Sequence, residues 1–312
     1  MERASRKQLN QGLAAATWLR ILLTVTVYFL FFTKRHIRKR TILRHGERNL
    51  SKAYETVKIE RDQSTLWIIL NRTHRLNSFN DVLIEELSDA LDTAEKDSSI
   101  KCVVIMGDGD RAFSAGADVT MFPKATPVKA EEFSRAGQKV FGKIEEMSKP
   151  VIAAINGFAL GGGLELAMAC DFRIAAEHAE LGSPEISLGL IPGWGGTQRL
   201  ARLVGLPKAK EMIMIPGVKL KADEALQVGL VNKVVHYEKL REEVSGLAQK
   251  LCDGPPVAMK YAKHALNFGT QVPLEAGLRL EASMMGLTFS TEDLKEGVEA
   301  LFSKRKAEFK GK

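Results

Sequence analysis

Cysteine is scarce in this chain. Three of 312 residues carry a thiol, Cys102, Cys170 and Cys252, and they lie far apart and outside any Cys-x-x-Cys or Cys/His spacing. A disulfide framework and a zinc site are thereby excluded, and the thiols read as buried groups in a reducing compartment. Nucleotide-loop fingerprints are missing as well. No Gly-Lys-Ser/Thr follows the glycines at 161–163, and Gly193, Gly195 and Gly196 fail the G-x-G-x-x-G spacing because Gln198 stands where the third glycine belongs. The body of the chain also lacks an excess of either charge. Residues 1–50 hold eleven Lys and Arg against Glu2 and Glu47, so +9 sits there and −2 in residues 51–312, out of a net +7. That body gives no electrostatic reason to bind nucleic acid. What is present is a globular composition, 45% apolar, enough for a sizeable core.

The first fifty residues stand apart. Leu13 to Thr33 is interrupted by one charge, Arg20, and its apolar heart, Ile21 to Phe32, is twelve residues long, short of the roughly 20 that a bilayer span needs. Three readings fit. In a signal anchor, the flank Lys34, Arg35, Arg38, Lys39 and Arg40 outweighs Arg3, Arg6 and Lys7 and keeps the body of the chain in the cytoplasm. An Arg-rich, acid-poor extension also suits organelle targeting, as to mitochondria. The third reading is a start codon further downstream. No small-residue cleavage site follows the apolar heart, which disfavours export.

From Ser51 onward strand and helix patterns alternate. Leu66, Ile68 and Leu70 alternate as a half-buried strand does, and Phe79, Val82, Leu83, Leu87, Leu91 and Ala94 then recur at helical spacing, a ββα start. Val103 to Met106 and Val151 to Ile155 are short β-rich runs closed by Gly107 and Gly157, with a helix marked between them by Phe133, Val140, Phe141, Ile144 and Met147. After Gly205 strand signals nearly stop, leaving Leu230 to Val235, and helical patterns broken by Pro255, Pro256 and Pro273 fill the rest. The expectation is an α/β class chain: an extension over 1–50, a core over 51–250 and a helical C-terminal region over 251–312.

Chemistry shows at two loops and two carboxylates. Gly161, Gly162 and Gly163 follow an apolar strand and open a helical pattern, where free N–H groups and the helix dipole favour an anion; alone, such a triplet is more often a tight turn for close packing. Residues 111–118 form a second small-residue loop after the strand at Val103. At neighbouring strand ends the two would make a two-donor oxyanion hole, from the N–H groups of Ala117 and Gly162, useful where charge develops on an enolising thioester oxygen. Glu165 lies in an otherwise apolar helix start and Glu185 follows Pro184. Each alone reads as well as a salt-bridged or solvated residue; sharing a water, they would serve as an acid/base pair.

Three stretches carry a resemblance: Pro150 to Asp171 (PVIAAINGFALGGGLELAMACD), Gly182 to Glu185 (GSPE) and Gly189 to Leu200 (GLIPGWGGTQRL). With Asn71 to Asn77 (NRTHRLN), Phe113 to Asp118 (FSAGAD) and Phe302 to Phe309 (FSKRKAEF), the chain from Tyr54 to its C-terminus resembles the enoyl-CoA hydratase/isomerase (crotonase) superfamily. The resemblance implies a spiral of ββα turns with a helical trimerisation region, a homotrimer or dimer of trimers, an acyl-CoA thioester substrate, and no metal or redox cofactor. By position, Ala117 and Gly162 match the oxyanion donors, Glu165 and Glu185 the two hydratase glutamates, and Gly193 a glycine beside the water site. Arg75, Leu76, Ala115, Gly116, Asp118, Val119 and Thr120 match CoA-contacting loops. Lys304, Arg305 and Lys306 read as a solvated basic helix end rather than a phosphate site. The implied reaction is hydration of a short 2-enoyl-CoA. Isomerisation, a branched methylglutaconyl-type substrate, and a non-enzymatic RNA-binding or membrane-associated relative remain as alternatives, the last suggested by the basic N-terminus.

Overall fold

Alternate residues of the same strands serve two different cores in the computed structural model, which describes residues 54–312. The basic apolar extension and its three readings lie outside the described residues. The larger sheet has six strands in the order β1 (Val57–Asp62), β2 (Thr65–Leu70), β3 (Cys102–Gly107), β5 (Val151–Ile155), β7 (Phe172–Ala176) and β10 (Lys233–Val235). β1 and β2 are an antiparallel pair and the remaining pairings are parallel. The smaller sheet runs β4 (Ala112–Ser114), β6 (Phe158–Leu160), β8 (Glu180–Gly182) and β9 (Lys219–Lys221), with only β9 antiparallel to its neighbour. The chain thus lays one strand in the large sheet, the next in the small one, and then a helix. It repeats this with α2 (Pro127–Glu146) after β3 and β4, and α3 (Gly162–Ala169) after β5 and β6. This is the ββα spiral.

Helix α1 (Asp81–Lys96) starts where Asn80 caps it, its side chain accepting the Leu83 N–H at 3.0 Å, and it buries Leu83, Ile84, Leu87, Leu91 and Ala94 at helical spacing. Phe79, placed on this helix by its spacing, lies just outside it and pairs as an isolated parallel bridge with Ala117. Leu66, Ile68, Leu70, Val103, Ile105, Val151 and Ala153 face the core under α1 and α2. Their neighbours Trp67, Ile69, Cys102, Val104, Ile152 and Ala154 face a second core, closed by Leu240, Val244, Ala248 and Cys252 of α7 (Tyr237–Cys252). β2 is therefore buried at every position and not half-buried, because a helix from far along the chain covers its other face. β9 is a strand that the sequence pattern did not announce, being three residues long with two of them lysines.

All three cysteines are buried and free. Between α7 and the C-terminus come α8 (Pro256–Gly269), α9 (Leu274–Thr288) and α10 (Glu292–Phe302); α4 (Gly196–Val204), α5 (Leu206–Met214) and α6 (Ala222–Gln227) precede α7. No helix among the described residues is long and apolar enough to cross a membrane. Arg305 pairs with Glu296 and Lys306 with Asp253 at the exposed chain end.

α8 is tied to the sheet by one buried ammonium. Lys263 Nζ donates to Asp171 Oδ2 at 2.8 Å and to the carbonyls of Ile144 at 2.7 Å and Lys149 at 3.0 Å, and Asp171 Oδ2 also accepts the Val151 N–H at 2.7 Å. Burial raises the Asp171 carboxyl above its usual range, opposed by the Lys263 charge. Removing one partner strands the other in a dry place, so Lys263→Met should cost about 3–5 kcal/mol in urea unfolding. The double variant Lys263→Met/Asp171→Leu should recover most of that loss; equal losses in both would contradict it.

Candidate active site

The site grows from the end of β6 and the loop after β4. Gly161 sits at φ +52°, ψ −122° and Gly116 at φ +92°, backbone that a side chain would strain. Both also stand in close quarters. A Cβ on Gly116 would lie 3.0 Å from the Gly162 nitrogen and 2.7 Å from Leu160 O, and one on Gly161 would lie 3.0 Å from Glu185 Oε1. The two small-residue loops are thus brought together, with Glu185 against them. Gly162 is the first residue of α3, so its N–H has no partner within the helix.

The Ala117 N–H is freed by a different device. Phe79 N–H donates to Gly116 O at 2.8 Å and Asp118 N–H donates to Phe79 O at 2.8 Å. This bridge uses the carbonyl of peptide 116–117 and the N–H of peptide 117–118, so the N–H of Ala117 points away from the bridge, opposite the Gly116 carbonyl of its own trans peptide.

Glu165, at 2% exposure, is one of the few buried charged side chains of the body. Its Oε1 accepts two main-chain N–H groups, from Trp194 at 2.8 Å and Gly196 at 2.7 Å. Burial raises its carboxyl above the usual range, while those two bonds and the Arg199 charge pull it back. Glu185, half-buried on a 3-10 turn over Pro184–Leu188, has an Oε2 that is buried with no partner. Burial pushes its carboxyl up to about 7, and the negative charge of Glu165 adds to the rise while the residue's own backbone N–H opposes it. Two carboxylates close in space therefore have opposite surroundings, one satisfied by fixed donors and one suited to hold a proton. Ser183 Oγ is the other buried, unpartnered side-chain atom among the described residues.

The loop that supplies Glu165 with donors is itself held. Gly193 O accepts Ser134 Oγ at 2.5 Å and Gln138 Nε2 at 2.8 Å, and Trp194 O accepts Arg199 Nη1 at 2.7 Å while Arg199 also pairs with Glu145. The Trp194 indole donates to Phe133 O at 3.2 Å and packs among Phe79, Phe133 and Phe141 at centroid distances of 5.3, 5.1 and 5.5 Å. A Cβ on Gly162 would fall 2.3 Å from its Cζ3, so the ring rests directly on the start of α3.

Of the expected CoA-contacting residues, Leu76 O accepts Ala115 N–H at 2.9 Å, which joins the two loops that carry them. Arg75, Val119 and Thr120 are exposed, and Ala115, Ala117 and Leu76 half-buried. The Asp118 carboxylate turns inward, pairing with Arg72 at 3.1 Å and accepting Thr120 Oγ1 at 2.7 Å, and these partners hold it below its usual range. Sequence reading missed Arg72 and the main-chain donors at Trp194 and Gly196. For the last two the only available signal was the run of small residues around an aromatic one.

Comparison with known proteins bears on the family and the fold. The model of the family "Enoyl-CoA hydratase/isomerase" matches residues 60–312. The chain is 45% identical to the crotonyl-CoA hydratase of Syntrophomonas wolfei subsp. wolfei, over 82% of this chain and 98% of that protein. With the short-chain-enoyl-CoA hydratase of Clostridium acetobutylicum the identity is 42%, over 80% and 95%. A crystal structure of an enoyl-CoA hydratase from Bacillus anthracis superposes with a TM-score of 0.80 at 39% identity, covering 83% of this chain and all of that one. The large and small sheets, the helical C-terminal region and these matches together place the chain in the enoyl-CoA hydratase/isomerase family, as an enzyme with enoyl-CoA hydratase family activity on acyl-CoA thioesters.

Proposed function

We propose that this enzyme adds water reversibly, in the syn sense, across the double bond of a short-chain 2-enoyl-CoA, giving a 3-hydroxyacyl-CoA. The observation that carries it is the carboxylate pair: Glu165 fixed by two N–H donors, and Glu185 with its Oε1 against the glycine turn that opens α3 and its Oε2 buried without a partner. A water held between them loses a proton to Glu165 as its oxygen bonds to C3, while Glu185 delivers a proton to C2. The thioester oxygen gathers negative charge and is met by the N–H groups of Ala117 and Gly162. Gly193 lies beside the water. The loops with Arg75, Leu76, Ala115, Gly116, Val119 and Thr120 take the CoA, with Asp118 contributing through its main chain. Isomerisation needs one mobile proton and no bound water, so a second fixed carboxylate favours hydration. For the assembly we propose the trimer, or dimer of trimers, of the family, supported by apolar residues exposed on α9 and α10 such as Leu274, Leu278, Met285, Leu301 and Phe302.

Short chains are favoured by Trp194. Its ring fills the space beside Gly162 and its own N–H binds Glu165, so it occupies volume next to both the carbonyl site and C3. Trp194→Ala should raise kcat/KM for C8–C10 enoyl-CoAs relative to crotonyl-CoA by about 10-fold or more, the scale of a few methylenes in an apolar pocket. An unchanged ratio removes the basis for the chain-length assignment.

The glutamates give the main test. Glu165→Gln and Glu185→Gln should each lower crotonyl-CoA hydration by about 10² to 10⁴ while binding of the CoA thioester stays nearly intact; a folded single variant with near-normal turnover would sink the mechanism. Hydration also requires Glu185 protonated, so wild-type kcat/KM in that direction should fall as pH rises through about 7. Stability follows the same proton. Between the ordinary 4.5 and about 7 the folded chain binds more protons than the unfolded one, so Glu185 favours folding at low pH and that contribution is lost as pH rises through 7. Glu185→Gln should therefore raise Tm relative to wild type at pH 8 and much less at pH 5, as differential scanning fluorimetry at the two pH values would read.

A further inference from the structure

The Ala117 N–H is aimed by a chain of groups that begins at a side chain outside the reacting centre. Arg72 is largely buried, its side chain 12% exposed, and so is Asp118 at 11%. Its Nη1 donates to Ser78 O at 2.5 Å and its Nη2 to Asp118 Oδ2 at 3.1 Å. The Ser78 carbonyl belongs to the same peptide unit as the Phe79 N–H, and that N–H donates to Gly116 O at 2.8 Å. The Gly116 carbonyl in turn shares its peptide unit with the Ala117 N–H. In a trans peptide the C=O and N–H point in opposite directions, so each pinned carbonyl fixes where the next N–H looks. The sequence of contacts is thus guanidinium, peptide 78–79, peptide 116–117, and then the oxygen that Ala117 faces. Hydrogen bonds in such a series polarise one another, and a cation at the head strengthens the donor at the far end. The guanidinium also spans both segments of the bridge, holding Ser78 on one and Asp118 on the other, while Arg72 N–H donates to Asn77 Oδ1 at 2.9 Å and fixes the turn between.

We propose that Arg72 is a positioning residue for the reaction, orienting and polarising the Ala117 oxyanion donor through two peptide units, with Asp118 holding its second nitrogen against the donor loop. This rests on the reading of Ala117 as an oxyanion donor. A planar fork is required, since Nη1 meets the Ser78 carbonyl and Nη2 the Asp118 carboxylate from two rigidly spaced nitrogens; an ammonium presents all its donors from a single nitrogen and does not reproduce that spacing.

The test uses the full chain, hexadienoyl-CoA labelled with ¹³C at the thioester carbonyl, and the isotope-edited infrared frequency of that carbonyl when bound. In the wild type the frequency falls on binding. Arg72→Gln keeps a donor for Ser78 O and removes the charge; Arg72→Lys keeps the charge and loses the fork. The downshift should decrease in the order wild type, Lys, Gln. kcat for crotonyl-CoA hydration should follow the same order, about 10-fold lower for Gln, a part of the 10² to 10³ that loss of a whole donor costs. Affinity for CoA itself should stay within about twofold, because no contact to the nucleotide is removed. A bound carbonyl that does not shift in the wild type overturns the oxyanion reading and this inference with it. A shift in the wild type that folded Gln and Lys variants reproduce in full, whatever their Tm, overturns the role of Arg72 alone. If Arg72→Gln does not fold, Arg72→Lys decides by the same frequency, and failure of both to fold makes the residue a structural clamp and overturns the inference.

Discussion

A single carboxylate oxygen, Glu165 Oε1, accepts the N–H groups of Trp194 and Gly196 in a place with almost no access to water. An ionised carboxylate left alone there would be too costly to keep, and charge-assisted hydrogen bonds of about 1.5–3 kcal/mol each are what make it tolerable. Much of the surrounding architecture serves to keep those two N–H groups still. Ser134 and Gln138 of α2 grip the Gly193 carbonyl, Arg199 grips that of Trp194, and three phenylalanines cage the indole. The aromatic cluster is thus less a generic core than the mount for a loop whose backbone polarity is aimed at one acid group.

The same logic runs through the rest of the site. Donors come from the main chain, and side chains such as Arg72, Asn77 and Asn156 act on the main chain. Asn156 ties Gly107 in both directions, accepting its N–H at 3.1 Å and donating to its carbonyl at 2.9 Å, and Asn77 donates to Ala112 O at 2.9 Å. Backbone groups have no rotamers to lose, so a site made of them is ordered before the substrate arrives.

Much of this was legible in the sequence, and for identifiable reasons. Strands β3 and β5 announced themselves as unbroken apolar runs, and α1 by its spacing, because both patterns are local. Glu165 and Glu185 stood out since a charge among apolar residues needs an explanation, and the structure brings them together. The half-buried reading of β2 failed because the helix that covers its second face lies some 170 residues away, and no local pattern carries that contact. Main-chain donors at Trp194 and Gly196 have no letter of their own in a sequence. Arg72 was overlooked for the opposite reason: arginine is common on surfaces, and only its burial and its two acceptors set it apart.

The late helix has a cost in time. Val104, Ile152 and their neighbours on the second face of the large sheet find their cover only when Leu240 to Cys252 of α7 have been made and have docked. Until then a nascent chain carries a nearly complete parallel sheet with one bare apolar side, and contacts of such long sequence separation form slowly. On the ribosome, at about 5–20 residues per second, several seconds pass between completion of β5 and the emergence of its cover. Throughout that interval the bare face is open to chaperones and to other unfinished chains.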